Sequence, residues 1–447
     1  MVLPLYRDYE ERRERRQKQG KMSKCILGLV FLGILLVGPT PSQATPTSTP
    51  WTQVGKFTIT DPSFVQIFPQ EHKGNDALWI TTFSGNPLVS GKVFIAENIA
   101  DQVASNPNDI KYEKIDGSFE WPNLISYVPN GTIVGCPQVI AMVPDGFLVP
   151  GKGTGGLYAI TTSTNKNGDT LYSKNISLVE QENGWFYHMV EWRDVNLDGR
   201  MDIISARAKS DLVSGTFQGE LIWLEQPKSN PLGGAWEMEV LAQGPDVLFA
   251  IADFDKGDNI FQLYAAQFFS SSLSLYDVLE GDKPRVVSQV EIFPLPSPYD
   301  IKIDDLDRDG KLEILCTEHL GGAGGNVTSF TIPPNDYHTP DAYVQTQLMS
   351  GYTVTEPGNN QMAPGFVTLM HPDRDGEALP PNMFVAGDGS QSAYYMTHKG
   401  DLEYDQELII DVDGVVGIVA SANMGPKGEN QFFVPDYDGN YILIYSF

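Results

Sequence analysis

Asp194-Val-Asn196-Leu-Asp198-Gly199-Arg200-Met-Asp202-Ile203-Ile-Ser-Ala-Arg207 joins an acidic turn to two large apolar residues, two small ones and a polar stop. The apolar half of this stretch recurs along the chain. Copies stand at Trp79-Ile-Thr-Thr-Phe83, Phe147-Leu-Val-Pro-Gly151 and Leu263-Tyr-Ala-Ala-Gln267, then at Ile314-Leu-Cys-Thr-Glu318, Met383-Phe-Val-Ala-Gly387 and Phe432-Phe-Val-Pro-Asp436. Seven starts, spaced 68, 56, 60, 51, 69 and 49 residues apart, leave room for four short strands each.

The surroundings of each copy agree with that reading. No long helical period follows Ala44; short apolar or alternating runs are separated by Gly, Pro, Asn and Asp. An apolar strand precedes the copy, as in Phe186 to Trp192, Leu248 to Phe254 and Tyr299 to Ile303, often with a turn glycine between (Gly74, Gly199, Gly310, Gly376, Gly428). Two more strands follow, as in Glu220 to Leu224 and Trp236 to Val240. The fold class this predicts is all-β, a seven-bladed β-propeller of four-stranded blades. A pair of β-sandwiches is the alternative that seven copies weigh against. The last copy has too little sequence for an outer strand. Trp51-Thr-Gln-Val-Gly-Lys-Phe57 resembles the outer strand at Trp236, so residues 51 to 59 should complete the seventh blade.

Two turns carry a metal-ligating pattern. Asp194, Asn196, Asp198 and Asp202 stand at positions 1, 3, 5 and 9 of one loop, with the carbonyl of Arg200 at position 7. Asp305, Asp307, Asp309 and Glu313 repeat this in a second, with Lys311 at position 7. Ca²⁺ takes six to eight hard oxygen ligands, and alternating carboxylates on a tight loop supply them. Glycine at position 6 permits the sharp turn. Strands flank these loops and the ninth residue is acidic, which separates them from EF-hands. Asp253-Phe-Asp255-Lys-Gly257 and His371-Pro-Asp373-Arg-Asp375-Gly376 are degraded copies without an acid at position 9, and Asp436-Tyr-Asp438-Gly439 reads as a plain turn.

Asp-x-Asp/Asn-x-Asp-Gly-x-x-Asp/Glu before an apolar strand, on this period, resembles the FG-GAP/VCBS repeats of integrin α-chain propellers and of secreted microbial proteins. The third and fifth blades carry the pattern in full; the other five depart from it. The resemblance implies structural Ca²⁺ in the turn between first and second strands, and ligands at the opposite face. A single propeller with no organic cofactor is also similar to the single-domain fungal propellers that act as hetero-Diels–Alderases.

The N-terminus reads as a secretory leader: a basic stretch to Lys24, an apolar run from Cys25 to Val37, then Ser42-Gln43-Ala44. Residues 1 to 44 are therefore expected to be a signal peptide and 45 to 447 one propeller domain. The apolar run is shorter than the ~20 residues that span a bilayer, so stable membrane insertion is not expected. Without the leader the chain keeps 22 basic residues (30 minus 8) and 53 acidic ones (57 minus 4). A net charge near −31 excludes nucleic acid as a partner, because a phosphate backbone needs a positive footprint. Cys136 and Cys316 fall in different blades and are expected as buried free thiols. Asn130, Asn175 and Asn326 begin glycosylation sequons, consistent with a secreted monomer.

Residues just after each copy should ring the mouth opposite the metal loops: Ser84, Lys152, Arg207, Gln267, Glu318, His319, Asp388 and Asp436. Inner-strand starts add Phe64, Trp185, Phe186, Tyr187, His188, Phe249, Tyr299, Asp300 and Phe366. Such a collar suits a small-molecule or glycan ligand. Tyr187, His188, Arg207, Glu318 and His319 are the candidate catalytic residues, as acids, bases or anion stabilisers. No nucleophile elbow, zinc-protease motif, phosphate loop or dinucleotide fingerprint is present. The balance leans to a cofactor-independent lyase, isomerase or cyclase. The alternative is a non-catalytic, adhesion-type binder of glycans or proteins.

Overall fold

A computed structural model describes residues 51–446, apart from 71–74, 149–151, 153, 183, 212–215, 255–256, 258, 357–360, 372–378, 413 and 425–428. The leader, three turn glycines (Gly74, Gly376, Gly428) and Asp255, Asp373 and Asp375 of the degraded loops lie outside those residues. Seven antiparallel sheets follow in chain order. The first four blades have second strands at Asn75–Thr82, Val139–Asp145, Asp202–Asp211 and Ile260–Gln267. The last three have theirs at Glu313–Glu318, Asn382–Ala386 and Glu429–Asp436. In the third blade the inner strand breaks into Phe186–Tyr187 and Glu191–Arg193, both paired to Asp202–Asp211.

The repeated motif is continuously apolar because its strand is buried on both faces. Side chains alternate across a strand, so Ile203 packs toward the second blade while Ile204 and Ala206 pack toward the fourth. The same division runs around the ring: six apolar clusters each fill one gap between neighbouring blades, and a seventh fills the gap between the fourth and fifth and reaches the axis through Phe64, Phe366 and Ile418. A helix, Ile99–Ser105, interrupts the first blade between its third and fourth strands and is held by buried Ile99 and Val103.

One copy of the motif stands elsewhere than expected. The second strand of the second blade is Val139–Asp145, and Phe147 follows it. Ala141-Met-Val-Pro-Asp145 carries the same pattern and pairs with the inner strand through Tyr127. Gly146, at φ 99°, then turns the chain out of the sheet. Phe147-Leu148 is a mouth-side loop.

The closure stands where the sequence places it. Thr52–Thr58 pairs antiparallel with Tyr441–Ser446, so both ends of the ring share the seventh blade. Trp51 is buried against Phe384, Tyr395 and Phe432, with centroids 4.5–5.8 Å apart. Cys316 is buried and Cys136 half-buried, both as free thiols. No helix among the described residues is long and apolar enough to cross a membrane.

Candidate functional site

The two full acidic loops share one backbone conformation. Leu197 and Arg308, at position 4, have φ 59° and 61°; Gly199 and Gly310, at position 6, have 87° and 88°. Their carboxylates accept the same internal N–H groups. Gly199 and Gly310 donate to Asp194 and Asp305, at 2.9 and 3.1 Å. Val195 and Leu306 donate to Asp202 and Glu313, at 3.2 and 3.0 Å.

Beyond that skeleton the loops differ. In the fifth blade, oxygens of Asp305, Asp307 and Glu313 converge within 4.8 Å of one another. Oδ1 of Asp305 is buried without a hydrogen-bond partner, and burial together with Asp307 and Asp309 pushes the Glu313 carboxyl up to about 7. An orphaned carboxylate oxygen beside two further carboxylates fits a divalent cation. In both loops the position-7 cation lies on the position-5 carboxylate, Arg200 on Asp198 and Lys311 on Asp309. In the third blade the ninth-position carboxylate is also taken up by protein donors: Asp202 accepts from Trp223 Nε1 and the Gln226 N–H, each at 2.9 Å. That donor set is the poorer fit for a metal.

At the opposite end of the ring the inner strands begin at the axis. Rings of Phe64, His188, Tyr299 and Phe366, from the first, third, fifth and sixth blades, form a closed circuit of contacts. Centroids are 6.3 Å apart for Phe64–His188 and His188–Tyr299, 4.9 Å for Tyr299–Phe366 and 5.4 Å for Phe366–Phe64. Half-buried Phe83 and Phe147 stack on either side of Trp121, at 4.1 and 4.9 Å, and Phe268 stands over Tyr299 at 5.9 Å. Trp121 comes from the irregular segment before the second blade, and Phe268 from a hairpin just past the motif. Phe83 and Phe147 stand in quoted copies of the motif, whereas Trp121 and Phe268 carried no signal in the sequence.

The five candidate catalytic residues do not meet at one point. The Tyr187 ring packs into the gap between second and third blades. Arg207 pairs with Glu220 at 2.7 Å and lies 4.1 Å over the Trp185 ring. Glu318 accepts from Asn326 Nδ2 and Thr328 Oγ1, at 3.2 and 3.0 Å. His188 and His319 flank Tyr299. His319 stacks on it at 4.7 Å, donates from Nδ1 to the Pro364 carbonyl at 2.8 Å, and holds Nε2 3.8 Å from Asp388. Burial lowers the His319 imidazole to about 4 and raises the Asp388 carboxyl to about 7. Among the other collar residues, Lys152 is buried and its ammonium donates to the Glu120 carbonyl at 3.2 Å.

His188 is 3% exposed, and its Nδ1 has no partner. Burial holds the imidazole neutral, down to about 3. A folded pKa below the unfolded value means the stability is present above pH ~6.5 and lost as pH falls toward 3, by up to ~1.4 kcal/mol per unit. His188→Phe should therefore leave urea stability at pH 8 close to wild type and shift acid unfolding to lower pH. An unchanged acid midpoint would contradict the buried neutral ring.

No protein-family model and no curated protein sequence matches this chain. Solved structures do resemble it. It is similar to Sqt1 from Chaetomium thermophilum at 12% identity over 86% of this chain and 84% of that one, TM-score 0.45. A chain of the COPII outer coat vertex on membranes gives 11% identity over 87% and 84%, TM-score 0.46. A functionally unknown protein from Desulfotomaculum acetoxidans gives 13% over 80% and 86%, TM-score 0.40.

Proposed function

We propose that this chain is a secreted, Ca²⁺-braced recognition propeller whose mouth face receives an extracellular glycan or protein. The closed circuit of Phe64, His188, Tyr299 and Phe366 carries this reading. A lyase or cyclase works in a recess that takes substrate out of water, whereas here aromatic rings occupy the axis. Phe83, Phe147 and Phe268 above them are half-buried, the kind of aromatic anchor that dominates binding surfaces.

Ca²⁺ would be held in the fifth blade by Asp305, Asp307 and Glu313, with Asp309 and the Lys311 carbonyl as further oxygens. It would neutralise converging carboxylates and pin the turn between two strands. The leader pattern and the sequons support a secretory route. Asn130 is exposed on a turn in which Thr132 N–H donates to the Pro129 carbonyl at 3.1 Å. The amides of Asn175 and Asn326 already donate to Thr161 and Glu318.

The pocket-enzyme reading keeps one specific support: His319 held neutral beside Asp388, whose carboxyl burial raises to about 7, both next to Tyr299. One experiment separates the two. Wild type and Phe268→Asp would be applied to glycan and extracellular-protein arrays, with mass spectrometry of small-molecule candidates in parallel. Recognition predicts at least about tenfold weaker array binding for Phe268→Asp and no consumed substrate. Turnover abolished by His319→Gln or Asp388→Asn would overturn it in favour of the enzyme.

A further inference from the structure

At the end of the ring that carries the acidic loops, a cavity of about 270 Å³ opens between the first and second blades. We infer that it is a binding site for one uncharged sugar residue, separate from the mouth and independent of what the mouth does. Its apolar lining combines Trp79 from the first blade with Tyr127 and Tyr172 from the second, among proline and aliphatic side chains. These rings are fixed before any ligand arrives. Phe68 stacks on Tyr127 at 6.0 Å, and the Tyr172 hydroxyl is tied to Glu97. Its polar lining is Thr162, Ser163, Thr164 and Thr170, on the two paired strands that also carry Tyr172, with the Asn130 side chain.

Three properties select the ligand class. Aromatic rings beside hydroxyl groups, as Tyr172 stands beside Thr162, match a pyranose, which has apolar C–H faces and an equator of hydroxyls. The lining contains no Asp, Glu, Lys, Arg or His, in a chain with 57 acidic and 30 basic residues. An ion entering there would lose hydration with no counter-charge in return. The volume lies just under the ~300–1,000 Å³ of drug-sized sites, which suits one ring rather than a chain of them.

The test titrates the full chain with glucose, galactose, mannose and N-acetylglucosamine, and with glucosamine and glucuronic acid as charged counterparts, by ligand-observed NMR and tryptophan fluorescence. At least one neutral sugar should saturate, with its charged counterpart weaker by about tenfold or more. Tyr127→Ala should weaken binding by a similar factor. Thr164 is exposed, so Thr164→Glu can block the cavity without a folding cost and should do so at an unchanged melting temperature. Phe268→Asp should bind sugar like wild type. The proposal is overturned if no neutral sugar saturates, if Thr164→Glu binds normally, or if charged sugars bind equally well. Loss in Phe268→Asp alone would overturn it too, by assigning the sugar to the mouth.

Discussion

Deleting residues 51 to 59 should destabilise the chain and make it self-associate. Trp51, Phe57 and Ile59 are 7%, 4% and 3% exposed. Burying each such side chain is worth ~1.5–3 kcal/mol, so the segment contributes about 5 kcal/mol or more, comparable to the ~5–15 kcal/mol that a typical domain has in total. Its removal also bares the Tyr441–Ser446 strand as an open edge, and open edges pair between molecules. Thermal melting and sedimentation velocity read the two effects separately. Trp51→Ala keeps the strand and removes only the ring that meets Phe384, Tyr395 and Phe432; it should cost ~3–5 kcal/mol without association. A truncated chain that stays monomeric with an unchanged melting temperature would show that the strand does not close the ring.

Chelation should produce the next largest effect. A ligand bound only by the folded state stabilises by ~2.7 kcal/mol at a hundredfold excess over Kd, so chelator should lower the melting temperature by a few degrees and added Ca²⁺ should restore it. Asp305→Ala should remove most of this response, because it deletes the buried oxygen that lacks a protein donor. Asp198→Ala should change it little, since the ninth-position carboxylate of its loop, Asp202, is already taken up by Trp223 and Gln226. Melting curves indifferent to chelator would rule out the metal. A response carried by Asp198 and not Asp305 would move it to the third blade.

The fold was legible because burial on both faces leaves a local mark. Where both neighbours are blades, the middle of the second strand must be apolar or small, and Ile203 to Ala206 or Ile314 to Thr317 show it directly. The misplaced copy shows the limit of that mark. Phe147 to Gly151 matches by composition alone, and only strand pairing distinguishes it from Ala141 to Asp145. The closing strand could be read because Trp51 and Trp236 serve equivalent outer strands. The mouth was half legible. Inner-strand starts such as Phe64, His188, Tyr299 and Phe366 follow from the repeat, but which way a side chain turns there does not. Tyr187 and His188 are adjacent, and alternation sends one into a blade gap and the other to the axis. Trp121 sits in an irregular connection whose path no periodicity records.

The pairing of Thr52 with Ser446 has a mechanical side. The two partners run antiparallel, so the chain enters and leaves the ring at the same end of that ladder. Tension applied between the two ends therefore peels the ladder open one rung at a time, instead of loading all its rungs together in shear. Pulled through its ends, the molecule should yield at a low force and always at the seventh blade, while the other six stay shut. Pulled between the middles of two remote blades, the same ring should hold far longer, so its toughness is a property of where it is gripped.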